Sequence, residues 1–481
     1  MTEVRSLQRK LAPDTVGSDK RKPTSLQGIA MKAKADKKHR FRDLYRLLNT
    51  ELLISCWPQL NKNAASGVDG VTWEAYGKDL HANVEALVKR LKSKRYRARL
   101  ILRHYIPKEN GKRRPLGIPV IEDKLLQAAC AKIITAIYEQ EFHAFSYGYR
   151  PERGAGDAVR DLTFDLQYGC YGYVVEADIK GFFDHMGHEW LWEMLSVRID
   201  DRAFLGLIRK WLKAGILETD GKVIHPDTGT PQGGVISPVL ANVYLHYVLD
   251  QWVAHERQSP DCGDVVIVRY ADDFVLGFQH KATAERFLQA LRQRFAEYGL
   301  TLHPDKTRLI EFGRFAASNR AERGEGKPET FDFLGFTHIC STTRRGGFFL
   351  KRITIGKRLR KKVKAVAGEL RKRMHRPVIE TAEWLRSVLR GHGQYYGVPG
   401  NSAALKSFYD LVAKAWHKVL RRRSQKGRRL SWEKFNRIKD ACLPHIRICH
   451  PFPDVRFDAT HSRQEPYAVV PHVRICAGGA G

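Results

Sequence analysis

The sequence is short of acids. Against 83 Lys and Arg it carries only 52 Asp and Glu, leaving a formal charge of +31 and a pI near 9.9. Such a balance predicts a large polyanionic partner, and nucleic acid is the leading candidate. Cysteine is sparse and scattered, at positions 56, 130, 170, 262, 340, 442, 449 and 476, with no CxxC pair. That distribution argues for free thiols in a reducing cytoplasm. Long apolar runs are missing too: the stretch from Gly233 to Leu249 is interrupted by Ser237, Pro238, Asn242 and His246, too short and too polar to span a bilayer. The opening MTEVRSLQRK lacks the apolar core of a secretory signal. A cytoplasmic protein with no membrane partner is therefore expected. No internal repeat of the solenoid kind is present.

What is present is globular. Hydrophobic residues make up 43% and charged residues 28%, and 481 residues suggest about three domains at roughly 150 residues each. Basic runs lie toward both ends, from Lys32 to Arg46, from Lys351 to Arg373 with eleven Lys or Arg against the single acid Glu369, and from Arg421 to Arg429. One such run is equally well a solvated helix face; three around an acidic centre point to a polyanion. Between about Arg90 and Cys340 strands, helices and glycine turns alternate, arguing for an α/β or α+β domain. Phe287, Leu288, Leu291 and Phe295 have helical spacing and stop at Gly299, a cap; Leu405, Phe408, Leu411, Val412 and Trp416 repeat the pattern. Strand signals cover Tyr173 to Val175, Val265 to Arg269 and Phe274 to Phe278.

The last two strands flank Tyr270-Ala271-Asp272-Asp273, a hairpin with two carboxylates at its tip. An isolated Asp-Asp is ordinarily a plain turn. A second acidic strand end, YVVEADIKGFFD, alters the reading, because Asp178 would lie beside that tip if the strands were neighbours. Carboxylates gathered in this way need cations. A pair of Mg²⁺ ions, about 3.5 to 4 Å apart, would satisfy them and serve an in-line phosphoryl displacement. Zinc lacks its Cys and His spacing here.

Seven segments in order then carry a resemblance: RRPLGIP (113–119), FSYGYRPERGAGDAV (145–159), EADIKGFFD, GTPQGGVISPVLANVYL (229–245), RYADDFVL, GLTLHPDKT (299–307) and FDFLGF (331–336). The YADD box resembles the YxDD box of reverse transcriptases, and the wording of the fourth segment, with NKNAASGVDGVT upstream, is most similar to group II intron-encoded reverse transcriptases and maturases. The resemblance implies an α+β right-hand polymerase, fingers and palm with an antiparallel sheet, followed by an α-helical thumb. It implies that Asp178 and Asp272 bind two Mg²⁺ ions with Asp273 completing the cluster. Phe183 would lie under the incoming sugar and disfavour a 2′-hydroxyl. Gln232 would contact the nucleotide, Lys108 and Arg114 would hold the triphosphate, and Lys306 would stand by the leaving pyrophosphate as charge stabiliser or proton donor.

The same resemblance divides the chain into a basic extension (1–60), fingers and palm (61–340), thumb or maturase domain X (341–440) and a tail (441–481) without an HNH endonuclease. In domain X, basic helix faces would meet intron RNA, and Tyr395, Tyr396, Trp416 and Trp432 are aromatics able to stack on unpaired bases, with Trp416 the more core-like. Cys442, His445, Cys449 and His450 cluster without a zinc spacing. The implied activity is RNA-directed DNA polymerisation from a DNA primer on intron RNA, with dNTP as substrate, joined to assistance in splicing and mobility. A non-enzymatic RNA-folding maturase, or a domesticated or defence-associated reverse transcriptase, are the alternatives.

Overall fold

In the segments VVIVRY and DFVLGF nearly every side chain is apolar, so a strand made of either must be covered on both faces. The computed structural model, which describes residues 25–107 and 113–451, shows that arrangement. Strands β6 (Val265–Tyr270), β7 (Asp273–Phe278), β3 (Tyr173–Asp178) and β8 (Arg308–Glu311) form an antiparallel sheet in the order β6-β7-β3-β8. Side chains alternate between its faces. Val174, Val268 and Val275 meet Val159, Leu162 and Leu166 of the helix Ala155–Tyr168. On the opposite face Val175, Ile267, Phe274 and Leu276 share a core with Phe287, Leu291 and Phe295 of the helix Lys281–Glu297.

That second helix ends as expected. Gly299 takes φ +69, its amide reaches Ala296 O, and the Leu300 amide reaches back to Phe295 O at 2.8 Å. This is a Schellman closure, which glycine enters without a Cβ penalty. The chain then returns along the end of β3, with Lys180 N bonded to Thr301 O and His303 N to Asp178 O.

A second sheet joins β2 (Arg113–Ile118), β1 (Ile101–Pro107), β4 (Ile216–Leu217) and β5 (Val223–Ile224). Its β1–β4 pairing is parallel, so this sheet is mixed, while the sheet that carries Asp178 and Asp273 is antiparallel throughout, as expected. The helix Ile121–Tyr138 is buried along Leu125, Leu126, Ala129, Ile133 and Ile137, and Ile29 and Ala33 of the helix Leu26–Ala35 join the same core. Ala33, Phe41 and Leu44 anchor the stretch Lys32 to Arg46 to that core.

A third sheet is made of β9 (Phe331–Phe333), β10 (Phe336–Thr342) and β11 (Phe348–Thr354). Buried Asn401 ties it to the helices that follow, accepting from Thr354 N at 2.9 Å and donating to Thr354 Oγ1 and Tyr396 O. Those helices, Gly356–Lys372, Val378–Tyr396 and Ser402–Arg422, close on Leu359, Val366, Leu385, Leu389, Phe408, Val412 and Trp416. Leu411 departs from the predicted stripe and is exposed. Among the described residues no helix is long and apolar enough to cross a membrane, and Cys56, Cys130, Cys262, Cys340, Cys442 and Cys449 are free thiols. Of the tail expected over 441–481, residues 452–481 lie outside the described residues.

Candidate active site

The antiparallel register of β3 and β7 sets Asp178 opposite Asp273. Tyr270 pairs with Asp273 to close the β6–β7 hairpin, leaving Ala271 and Asp272 as its two-residue loop. Ala271 takes φ +57, the positive first position of a II′-type hairpin loop that a non-glycine residue adopts only under local constraint. Three carboxylates separated by almost a hundred residues of sequence therefore stand at one end of one sheet. Their charges oppose one another. The Asp273 carboxyl is pushed up to about 7, first by burial, then by the charges of Asp272 and Asp178 and by a hydrogen bond with Asp178. Asp272 is also raised, chiefly by burial and by Asp178, while Arg114 and Lys306 pull it down.

The cations of the site are Lys306 and Arg114. Lys306 Nζ lies 2.5 Å from Asp178 Oδ2, its side chain otherwise exposed; the strand-like return after Gly299 delivers it there. Arg114, on β2, donates from Nε to Gln232 Oε1 at 2.8 Å, and Gly117 N donates to Gln232 O at 2.7 Å. The Thr230–Gly234 turn thus lies flat on β2. Gly233 permits this: its φ is +112, and a Cβ there would meet Gly117 O at 2.8 Å. Phe183 is 7% exposed, packed edge-on to Phe182, and its carbonyl accepts from Thr230 N at 2.7 Å. Seven of the eight predicted site residues are thereby located at or beside the end of the β6-β7-β3-β8 sheet, in the Thr230–Gly234 turn and on β2. Lys108 lies outside the described residues.

The donor set suits a hard divalent cation. All three groups are carboxylates, and the ammonium against Asp178 shows that its outer oxygen accepts a cation. Among the described residues no three or more His, Cys, Asp or Glu side chains close into a metal cage.

Several residues at the site escaped sequence reasoning. The segment Phe145–Arg150 runs beside β6, with Arg269 N bonded to Phe145 O and Tyr147 N to Arg269 O, both at 2.9 Å. Gly148 consequently lies against the Ala271–Asp272 turn, where a Cβ would come 2.3 Å from Ala271 N. Tyr149, next in sequence, takes φ +59 with its ring 52% exposed; its hydroxyl is raised by burial and then by Asp272. Beneath the turn, Arg269 and Asp250 form a wholly buried ion pair. The one available signal was Arg269 itself, a charge inside an apolar strand, which demands a buried partner.

Two basic cavities lie in the helical region. One, of about 870 Å³, is lined by Arg358, Lys361, Lys362, His392, Tyr395 and Tyr396. The other, of about 680 Å³, is lined by Lys414, Lys418, Arg421, Arg422, Arg428 and Trp432. Of the aromatics, Trp416 is fully buried and Trp432 is half exposed. Tyr395 is held against the third sheet, donating to Leu334 O at 2.6 Å and stacking on Phe336.

A family model described as reverse transcriptase (RNA-dependent DNA polymerase) matches residues 106–338. The chain is 40% identical over 277 residues to Protein YkfC of Escherichia coli (strain K12), covering 50% of this chain and 71% of that protein. It is 35% identical over 248 residues to Group II intron-encoded protein LtrA of Lactococcus lactis subsp. cremoris, covering 50% and 41%. The chain belongs to the reverse transcriptase family of group II intron-encoded proteins. A longer alignment, 27% identical over 445 residues, pairs 78% of this family member with 53% of an uncharacterized 91 kDa protein in a cob intron of Schizosaccharomyces pombe. The chain spans less than half the length of LtrA. All eight predicted site residues fall inside the span matched by the reverse transcriptase model.

Proposed function

We propose that the chain is an RNA-directed DNA polymerase that extends a DNA primer on intron RNA, and that its basic helical surfaces bind the same RNA to assist splicing and mobility. The observation that supports this most is the register that sets Asp178 opposite Asp273, with Asp272 in the adjoining turn. In this reading Asp178, Asp272 and Asp273 hold two Mg²⁺ ions, which when bound activate the attacking 3′-oxygen and stabilise the leaving one. Arg114, pre-oriented by Gln232, grips the triphosphate through its planar guanidinium. Lys306 stands at Asp178 to neutralise the departing pyrophosphate or hand it a proton. Phe183 packs under the sugar and selects dNTP.

The cleft is made by residues 61–340 as fingers and palm, and the duplex leaves along a thumb of 341–440, whose two basic cavities face a phosphate backbone. A maturase without polymerase activity is the second reading; the three carboxylates, all in place at the sheet end, favour the enzyme. Asp272→Ala tests the choice: on a primed RNA template with Mg²⁺ it should abolish dNTP incorporation while RNA affinity stays within twofold. Primer extension by the variant at the unsubstituted rate would remove the assignment.

A further inference from the structure

We propose that Arg269, with Asp250, Asn242 and Ser146, is a buried positioning device that fixes where the two-aspartate turn stands. This rests on the reading of that turn as a metal-binding site. Arg269 and Asp250 have no exposed surface. The guanidinium donates from Nε to Asp250 Oδ1 at 2.7 Å and from one terminal nitrogen to Asp250 Oδ2 at 2.5 Å and Ser146 Oγ at 2.7 Å. Its other terminal nitrogen donates to Asn242 Oδ1 at 3.2 Å and to the Ala271 carbonyl at 3.1 Å. Ala271 is the residue of positive φ immediately before Asp272. Asn242 also donates to Gly148 O at 2.7 Å, and Gly148 is the residue pressed against the other side of that turn. One network thus grips both the turn and the segment it leans on.

Stability does not explain this arrangement. A buried ion pair loses in desolvation about what it gains by attraction, and apolar residues of the same volume commonly do as well. Asp250 moreover sits in a π-helical turn, His246–Asp250, inserted between the helices Ser237–Leu245 and Gln251–Glu256; such insertions carry a registry cost and recur at functional sites. Here the turn presents a carboxylate to the base of the hairpin. A rigid fork with five donors can hold a carboxylate, a carbonyl, an amide and a hydroxyl at once, which an ammonium cannot.

The test uses Arg269→Lys, which keeps the charge but loses the fork, together with the milder Asn242→Ala and Ser146→Ala in the full chain. Mn²⁺ affinity is read by electron paramagnetic resonance, beside kcat, KM for dTTP on poly(rA)/oligo(dT), primer-template affinity and the unfolding midpoint. Arg269→Lys should weaken Mn²⁺ binding about tenfold and lower kcat in parallel, as loss of an outer partner of a metal site does, with KM and primer-template affinity within twofold. Asn242→Ala should move the same quantities in the same direction. A merely structural network would lower the unfolding midpoint and leave Mn²⁺ affinity and kcat of the folded protein unchanged, and that result overturns the proposal. Should Arg269→Lys not fold, the two milder variants decide by the same readouts. Asp272→Ala separates the two layers: if it binds Mn²⁺ like the unsubstituted chain, the site assignment fails; if it loses Mn²⁺ while the Arg269, Asn242 and Ser146 variants do not, only the positioning role fails.

Discussion

Adding one methyl group at Gly148 should disable catalysis without touching a carboxylate. A Cβ there would stand 2.3 Å from the Ala271 amide nitrogen, 3.0 Å from the Tyr270 carbonyl carbon and 3.1 Å from Ala271 Cα, where ordinary contact begins at 3.4 Å. All three of these neighbours are backbone atoms, so no flexible side chain can yield. The overlap is about 1 Å, and relief requires the turn carrying Asp272 to move by that amount or the Phe145–Arg150 segment to peel away. Arg150 resists the second, donating to His143 O and Ser146 O at 2.6 and 2.7 Å while paired with Glu139. Overpacking of this size costs about 1 to 3 kcal/mol of stability, and a 1 Å displacement of a reacting group costs about 100-fold in rate. Gly148→Ala should thus remain folded, with a lower unfolding midpoint, and show a kcat for primer extension reduced about 100-fold. Gly156→Ala is the control, since nothing lies within 4 Å of a Cβ there and the site is helical; it should be neutral or stabilising by about 0.4 to 1 kcal/mol. A Gly148→Ala protein with undiminished kcat would show that the turn does not depend on this contact.

Further outcomes follow from the same geometry. With its carboxyl pushed up to about 7, Asp273 holds about half a proton at pH 7 in the metal-free protein, so Mn²⁺ binding should expel about half a proton there and almost none at pH 9. Calorimetry in two buffers of different ionisation enthalpy measures this, and an Asp273→Asn protein that releases as much counts against it. The sign carries over to stability: a raised carboxyl contributes stability that is full below its unfolded value near 4 and is lost as pH rises through 7, so Asp273→Asn should flatten metal-free stability across that window. Phe183→Ala should admit ribonucleotides; because the ring is buried the change also costs about 3 to 5 kcal/mol, and the dNTP-to-NTP selectivity ratio, not the rate, is the quantity that must fall. RNA affinity should drop steeply with salt, and Lys418→Gln with Arg421→Gln should reduce the log-log slope by about 1 per residue; a slope left unchanged would take the second cavity out of the RNA surface.

How much of this was legible in the sequence depends on the range of the forces involved. The strands β3, β6 and β7 and the Lys281–Glu297 helix could be read because their periodicity is local: Phe287, Leu291 and Phe295 announce a face, and Gly299 announces its end. The eight site residues could be named only through a motif, because nothing in YVVEAD or RYADDF states that the two strands pair; their adjacency is a tertiary fact fixed by the register of Asp178 on Asp273. The parallel β1–β4 pairing was invisible for the same reason, being made by two residues at the end of a long connection. For Tyr395, equally able from sequence to stack on a base or to pack, the tertiary partner is a carbonyl 61 residues away.

The most instructive omission is Arg269. Read locally, it is one charge in VVIVRY, and local rules assign a charged side chain to solvent. In the fold it is buried completely, and the pressure to satisfy five donors draws together the π-turn at Asp250, the helix at Asn242, the loop at Ser146 and the hairpin at Ala271. Sequence motifs therefore mark the groups that would touch metal and substrate, since those are constrained one by one. The groups that aim them are constrained jointly, through donors and acceptors spread over 123 residues between Ser146 and Arg269, and become readable only when burial forces every one of those hydrogen bonds to be accounted for.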